Sequence, residues 1–351
     1  MKILVINPGS TSTKVALFED FKPVGEEKIN HPHTELAGFY SIRDQLSMRV
    51  ARVRDFLGRQ GMEPSGLDVV VARGGMLPPV MHGAYRVDPQ LVETLLDHPA
   101  EEHASNLGAG IAYQLTEGTS IPAFIYDSVS VDELPPVARL SGVKGQDRRS
   151  FSHVLNTRAV ARRIADQEGF DLEDVNVIVA HLGGGISLNL QSGGSLIDIV
   201  SADEGPFSTE RAGGLPVFAA VRIARQEGID ALYRYATGTG GLISYTGSSD
   251  ALAVEEQARQ GDAYAALLYE GIAYQTAKAI GGLATVVKGQ VRAIILTGGM
   301  ARSERVTEAI RERVAFMAPV YVYPGELEME ALAGGALRVM LGQEEARVFT
   351  P

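Results

Sequence analysis

The chain has 351 residues, 45% hydrophobic and 21% charged, with a formal net charge of −11 and no cysteine. The length allows two domains with a core each, and the acidic balance argues against nucleic acid or an anionic membrane as partner. Without cysteine there are no disulfides, no thiolate chemistry and no cysteine-ligated metal.

Ile3 to Ile6 is a short apolar run, Asn7 to Lys14 is a polar turn without bulk, and Val15 to Phe18 is apolar again. This predicts strand, turn, strand, with Asn7, Ser10, Ser12 and Lys14 offering small donors and one ammonium to a phosphate chain. The apolar start breaks off at Asn7-Pro8-Gly9, unlike a signal peptide. No later run approaches the roughly 18 residues of a membrane span, and the lack of cysteine fits a reducing cytosol, so the expected location is the cytoplasm. The three- and four-residue spacing of Leu36, Phe39, Ile42, Leu46, Val50, Val53 and Leu57 predicts a helix over Thr34 to Gly61. Leu67 to Ala72 reads as a strand ending in Arg73-Gly74-Gly75. Asp88 to Leu96 and Glu101 to Leu115 read as helices, and Ile121 to Tyr126 as a strand running into Asp127. Strands alternating with helices imply an α/β protein with partly parallel sheets. Val129 to Arg149 is polar and contains Pro135-Pro136, and is expected to connect the halves.

The second half repeats the plan. A helix is expected over Leu155 to Glu168. Val177 to Ala180 then leads into His181-Leu182-Gly183-Gly184-Gly185-Ile186-Ser187, a second strand–turn–strand element of phosphate-binding type. Helices follow at Pro216 to Glu227, Asp250 to Gln260 and Asp262 to Val287. A strand from Val291 to Leu296 ends in Gly298 and Gly299 and opens into a helix at Ser303, whose N-terminus faces whatever the glycines admit. A short strand at Val320 to Tyr323 and a helix at Glu328 to Leu341 complete the pattern. The 39 glycines, about 11% of the chain against a norm of about 7%, cluster at these turns.

Two halves that each open on such a hairpin are the plan of the superfamily of acetate and sugar kinases, heat-shock chaperones and actin. Within it the sequence resembles the acetokinase family, and its butyrate kinases most closely. The resemblance rests on Ile3 to Lys14, Val71 to Gly75, Glu102 to Gly108, Asp127 to Glu133 and His153 to Asn156. It continues through His181 to Ser187, Gly205-Pro206-Phe207, Glu210-Arg211, Thr297 to Ala301 and Pro324-Gly325, in that order. It implies an α/β fold of two ribonuclease-H-like domains around a cleft. One domain is 1–129 plus about 330–351, and the nucleotide-binding domain is about 130–329. It implies reversible transfer of the γ-phosphoryl group of ATP to a short-chain carboxylate, with butyrate as acceptor, ADP as product and Mg²⁺ as cofactor, in a homodimer or larger homo-oligomer.

A carboxylate acceptor has a pKa of about 4 to 5, so it is ionised at neutral pH and needs no general base. The site must supply cations and in-line positioning instead. The resemblance assigns Arg211 to hold the carboxylate or the transferring phosphoryl group, and His153 and His181 to contact it. Arg73 is a second arginine of that kind, although acetate kinases carry Arg-Val-Val-His-Gly-Gly where this chain has Val70-Val71-Ala72-Arg73-Gly74-Gly75. Asp127 and Glu328 are assigned to Mg²⁺, with Glu326 and Glu330 as neighbouring registers of the second. Asn7, Ser10, Ser12 and Lys14 grip phosphate, with Gly183, Gly184 and Gly185 as the second turn and Gly298, Gly299 and Ser303 under the adenosine. Ala72 and Phe207 flank the arginines and are candidates for the acyl recess. His31, His33, His82, His98 and His103 are expected to be structural. A kinase for another short-chain or branched-chain carboxylate (isobutyrate, propionate or acetate) is the first alternative, ahead of a sugar kinase with Asp127 as base and a non-enzymatic actin-like ATP-binding protein.

Overall fold

The computed structural model describes residues 1–351. The chain forms two compact units, Met1–Asp132 with Leu327–Pro351, and Glu133–Glu326. In the first, six strands are β1 (Lys2–Pro8), β2 (Ser12–Glu19), β3 (Lys22–Asn30), β4 (Val69–Arg73), β5 (Ala84–Arg86) and β6 (Ala123–Tyr126), and they lie in the order β3-β2-β1-β4-β6-β5. β1, β2 and β3 form an antiparallel meander, while β1, β4 and β6 run parallel. Ile3, Leu4, Val5 and Ile6 are all fully buried. A strand covered on both faces reads as a continuous apolar run, and each such side chain contributes about 1.5–3 kcal/mol on burial. The helices Leu107–Thr116 and Glu328–Met340 both pack on β1, β4 and β6.

The single helix expected over Thr34 to Gly61 is broken. A turn of helix at His33–Leu36 is followed by irregular chain, and the long helix is Leu46–Arg59. Gly38 weakens the intervening stretch. Ser41 and Asp44 then cap each other reciprocally, Ser41 N–H donating to Asp44 Oδ2 at 3.0 Å and Asp44 N–H to Ser41 Oγ at 3.3 Å. This is the geometry of a fresh helix start.

The second unit holds β7 (Asn176–Leu182), β8 (Ile186–Ser192), β9 (Ser195–Val200), β10 (Ala293–Gly298) and β11 (Val320–Pro324), ordered β11-β10-β7-β8-β9. β7, β8 and β9 are antiparallel, and β7, β10 and β11 are parallel. The strand plan of the first unit is thus repeated, as a duplicated actin-like fold requires. Ile178, Ala180 and Leu182 join the core beneath the helix Ala263–Val286, with Leu268, Ile272 and Ile280. Strand alternation therefore turns His181 to the opposite face, where the helix Val154–Glu168 packs on β7 and β10.

Candidate active site

In the first unit, three parallel strands end in one row. Ile6 pairs with Ala72, and Ala72 with Ile125. Asn7, Arg73 and Asp127 therefore stand at the C-terminal ends of neighbouring strands, where open α/β sheets bind ligands. Asn7 Nδ2 donates to Glu328 Oε2 at 2.7 Å, and Arg73 Nη1 lies 3.3 Å from Glu328 Oε1. Of the three candidate glutamates, Glu328 is the one beside these residues. Glu326 belongs to the other unit, 3.8 Å from His181 Nε2, and Glu330 is exposed. Arg73 Nε is buried without a hydrogen-bond partner.

Asp127 is 3% exposed and has φ of +39°, a conformation few non-glycine residues adopt. Two hydrogen bonds with Gly83 hold it, Asp127 N–H donating to Gly83 O at 3.1 Å and Gly83 N–H to Asp127 Oδ1 at 2.8 Å. The turn after β4 is closely packed, since a Cβ on Gly74 would lie 2.7 Å from Ser128 and one on Gly75 2.6 Å from Asn106 Oδ1. His103 has a structural part here, its Nδ1 accepting from Ser105 N–H at 3.2 Å. Burial, and then the charge of Arg73, push its pKa below the usual value.

The phosphate turn is tighter than expected. Asn7 pairs with Lys14 and Pro8 with Thr13, so the strands claim Asn7, Ser12 and Lys14, and Gly9–Thr11 alone make the connection. Gly9 N–H donates to Ser12 O at 2.7 Å. Ser10 is exposed, while Ser12 and Lys14 are half-buried.

In the second unit, His153 and His181 stack with ring centroids 3.8 Å apart and planes 8° from parallel. His153 Nδ1 lies 2.8 Å from Ser187 Oγ. Asn156 Nδ2 donates to His181 Nδ1 at 3.0 Å, and reaches Thr297 Oγ1 at 3.4 Å. Thr297 Oγ1 donates in turn to Gly325 O at 3.1 Å, so its lone pairs face Asn156. This chain makes His181 Nδ1 an acceptor, and the neutral ring carries its proton on Nε2. Asn156 and Thr297 stand in segments that carry the family resemblance, but the sequence assigned them no role. The signal for Asn156 is a polar side chain on the buried stripe of its helix, with Val160 and Ile164.

Gly183, Gly184 and Gly185 are the whole turn between β7 and β8. Ser208 Oγ donates to Gly184 O at 2.6 Å, and Arg211 N–H to Ser208 Oγ at 3.1 Å. The Arg211 guanidinium is thereby laid on the turn, where a Cβ on Gly185 would sit 2.8 Å from Nη1. Arg211 Nε is buried and without a partner. Glu210 lies over Gly184 instead, 3.2 Å from where its Cβ would be. Gly298 has φ of +90°, and a Cβ there would be 2.4 Å from Leu182 O, whereas nothing stands within 4 Å of one on Gly299. Ser303 caps the helix Glu304–Val314 and donates to Glu255 Oε1 at 2.7 Å, so its hydroxyl is committed to the fold. Ala72 and Phe207 are both buried, in separate units.

A family model for the acetokinase family matches residues 144–329, just over half of the chain. The chain belongs to the acetokinase family. Acetokinases are transferases that bind ATP and pass phosphate to a carboxylate, and the chain is a kinase of that kind. Solved structures match over nearly the whole length. Acetate kinase from Porphyromonas gingivalis is 19% identical with a TM-score of 0.78, over 97% of this chain and 99% of that one. A propionate kinase from Francisella tularensis subsp. tularensis SCHU S4 is 16% identical with a TM-score of 0.76, over 95% and 98%. A ROK family protein from Streptococcus pneumoniae TIGR4, solved in complex with sucrose, is 14% identical with a TM-score of 0.55, over 98% and 100%. At these identities the likeness is one of fold, and it is the duplicated α/β fold expected from the sequence. No helix of this acetokinase is long and apolar enough to cross a membrane.

Asp127 and Glu328 are hard oxygen donors, both in the first unit. Mg²⁺ takes one or two carboxylates, keeps several waters and is completed by substrate phosphates. The donor set fits that ion.

Proposed function

We propose that this acetokinase is a butyrate kinase, transferring the γ-phosphoryl group of ATP reversibly to butyrate to give butanoyl phosphate and ADP. The observation that carries the carboxylate-kinase part of this reading is Arg211, a guanidinium laid on a glycine turn with a buried, unpaired Nε. A fork held this way suits two parallel hydrogen bonds to a carboxylate or phosphoryl group. The acceptor arrives ionised, so its oxygen attacks phosphorus directly and ADP leaves with the bridging oxygen.

In this reading Arg211 and Arg73 offset the repulsion between anion and polyanion. His181 donates from Nε2 to an equatorial phosphoryl oxygen, and His153, stacked on it, holds the ring plane. Asn7, Ser10, Ser12 and Lys14 bind phosphate. Gly183, Gly184 and Gly185 let the nucleotide approach backbone N–H groups, and Gly298, Gly299 and Ser303 line its nucleoside end. Asp127 and Glu328 would hold Mg²⁺, which would neutralise phosphate charge when bound. The active form is proposed to be a homo-oligomer located in the cytoplasm.

Acyl length is set by an apolar recess, for which Ala72 and Phe207 are the candidates, each methylene being worth about 1–3 kcal/mol. The test traps the acyl phosphate with hydroxylamine and compares kcat/KM for acetate, propionate, butyrate, isobutyrate and valerate. Butyrate is expected to lead. A maximum at another acid replaces butyrate by that acid, and sugar turnover without hydroxamate from any of them overturns the carboxylate reading.

A further inference from the structure

Arg49 is the one arginine at 0% exposure, and none of its hydrogen-bond partners is a carboxylate. It lies on the helix Leu46–Arg59, on the same buried stripe as Val50, Val53, Phe56 and Leu57. Its guanidinium runs under the first phosphate turn. Nη1 donates to Gly9 O at 2.8 Å, Thr13 Oγ1 at 3.1 Å and Ser12 O at 3.3 Å. Nη2 donates to Ser10 O at 3.2 Å and Gln45 Oε1 at 2.8 Å, and Nε to Gln45 Oε1 at 3.2 Å. Every nitrogen of the group is therefore engaged, by three backbone carbonyls in and beside the turn and by the side chains of Thr13 and Gln45.

Burying a cation with no carboxylate in hydrogen-bond contact is costly, and burial, opposed by the more distant charge of Glu35, lowers the Arg49 pKa to about 10, which still leaves it charged at neutral pH. An apolar residue would fill the space at lower cost, so what the guanidinium does for the turn has to account for it. In a planar trans peptide the C=O of one residue and the N–H of the next point opposite ways. Drawing the Gly9 and Ser10 carbonyls inward turns the Ser10 and Thr11 N–H groups outward. Both residues are exposed, and neither N–H donates to another backbone group. Two adjacent outward N–H groups above a buried positive charge make an anion-binding concavity.

We infer that Arg49 is the positioning residue of the first phosphate turn, fixing from beneath the backbone donors that grip the polyphosphate. This rests on the turn being a phosphate site, and it gives the Leu46–Arg59 helix a part in nucleotide binding that its sequence pattern hides.

The test compares wild-type protein with Arg49→Lys, Gln45→Ala and Arg49→Ala, each checked for cooperative thermal unfolding. Arg49→Lys keeps a charge but loses the fork, and is expected to raise KM for ATP tenfold or more while KM for the carboxylate stays within twofold. Gln45→Ala loosens the guanidinium without unpairing a charge from the turn, and is expected to raise KM for ATP a few-fold. Added guanidinium ion is expected to restore ATP affinity to Arg49→Ala. Unchanged KM for ATP in folded Arg49→Lys and Gln45→Ala overturns the proposal, as does guanidinium ion that recovers thermal stability without recovering KM. Wild-type protein that binds neither ATP, ADP nor pyrophosphate instead removes the phosphate-turn reading beneath it.

Discussion

Gly185→Ala probes the contact between the second glycine turn and Arg211, the next neighbour of the new methyl being Ala202 Cβ at 3.3 Å. The backbone tolerates the change, because Gly185 lies outside the left-handed region that disfavours alanine. The new methyl would meet Arg211 Nη1 at 2.8 Å and Cζ at 3.1 Å, where ordinary contact begins at 3.4 Å. The guanidinium must therefore retreat by about 0.6 Å, the difference of those distances. A displacement of about 1 Å in a reacting geometry can cost about a hundredfold. A kcat some tenfold to a hundredfold below wild type follows. Stability should stay within about 1 kcal/mol, because the end of a flexible side chain yields and the unfolded chain loses entropy. Steady-state kinetics by hydroxamate trapping, ATP affinity by calorimetry and urea unfolding separate the terms. Wild-type kcat in Gly185→Ala, beside strong loss in Arg211→Ala, would refute the claim that the turn sets the place of the guanidinium. Loss matched by unfolding would refute it equally.

Further outcomes are expected. Arg211→Ala should lower kcat by about a hundredfold or more, the scale of a lost charge-stabilising donor, with ATP affinity nearly unchanged; selective loss of ATP binding moves Arg211 out of the reacting centre. Glu328→Gln keeps an acceptor for Asn7 but no charge, and should raise the half-saturating Mg²⁺ concentration about tenfold, read by titrating Mg²⁺ at fixed ATP. His31, whose Nε2 lies 2.9 Å from Thr13 Oγ1, has its pKa lowered from 6.5 by burial and by Arg49, against the opposing pull of Glu35. The unfolded chain then binds the extra proton, so stability is full above pH 6.5 and falls as the pH drops toward the folded value. Urea midpoints between pH 7.5 and 5.5 should show that slope, and His31→Gln should flatten it. Phe218 and Ile229 are 79% and 67% exposed on two helices that pack together, so sedimentation should find an oligomer that Phe218→Glu weakens.

The hairpin strands were legible because a strand buried on both faces shows an unbroken apolar run, as at Ile3–Ile6 and Val177–Ala180. β3 was not, since it is an edge strand whose side chains are mostly exposed, and nothing apolar marks its period. The helix Ile229–Thr237 also escaped, having Ala231 as its sole buried residue. At the site, charged and glycine residues beside strand ends announced themselves. Arg49, and the role of Asn156, stayed hidden for the opposite reason. They sit on helix faces that otherwise carry the core, and a pattern of apolar spacing passes over the polar residue that interrupts it.

The two hairpins share a topology yet distribute their vulnerability differently. In the first, the turn itself has slack, since a Cβ on Gly9 meets nothing closer than 3.5 Å, and the constraint lies in a helix 40 residues away at Arg49. In the second, the constraint is in the turn, where side chains at Gly183 and Gly185 would strike His181 and Arg211 within 3 Å. A saturation scan across both should therefore find the first loop permissive and its distant helix intolerant, and the second loop nearly immutable. Duplicated halves of one gene would then carry different mutational histories, one able to vary its loop and the other bound to keep its glycines.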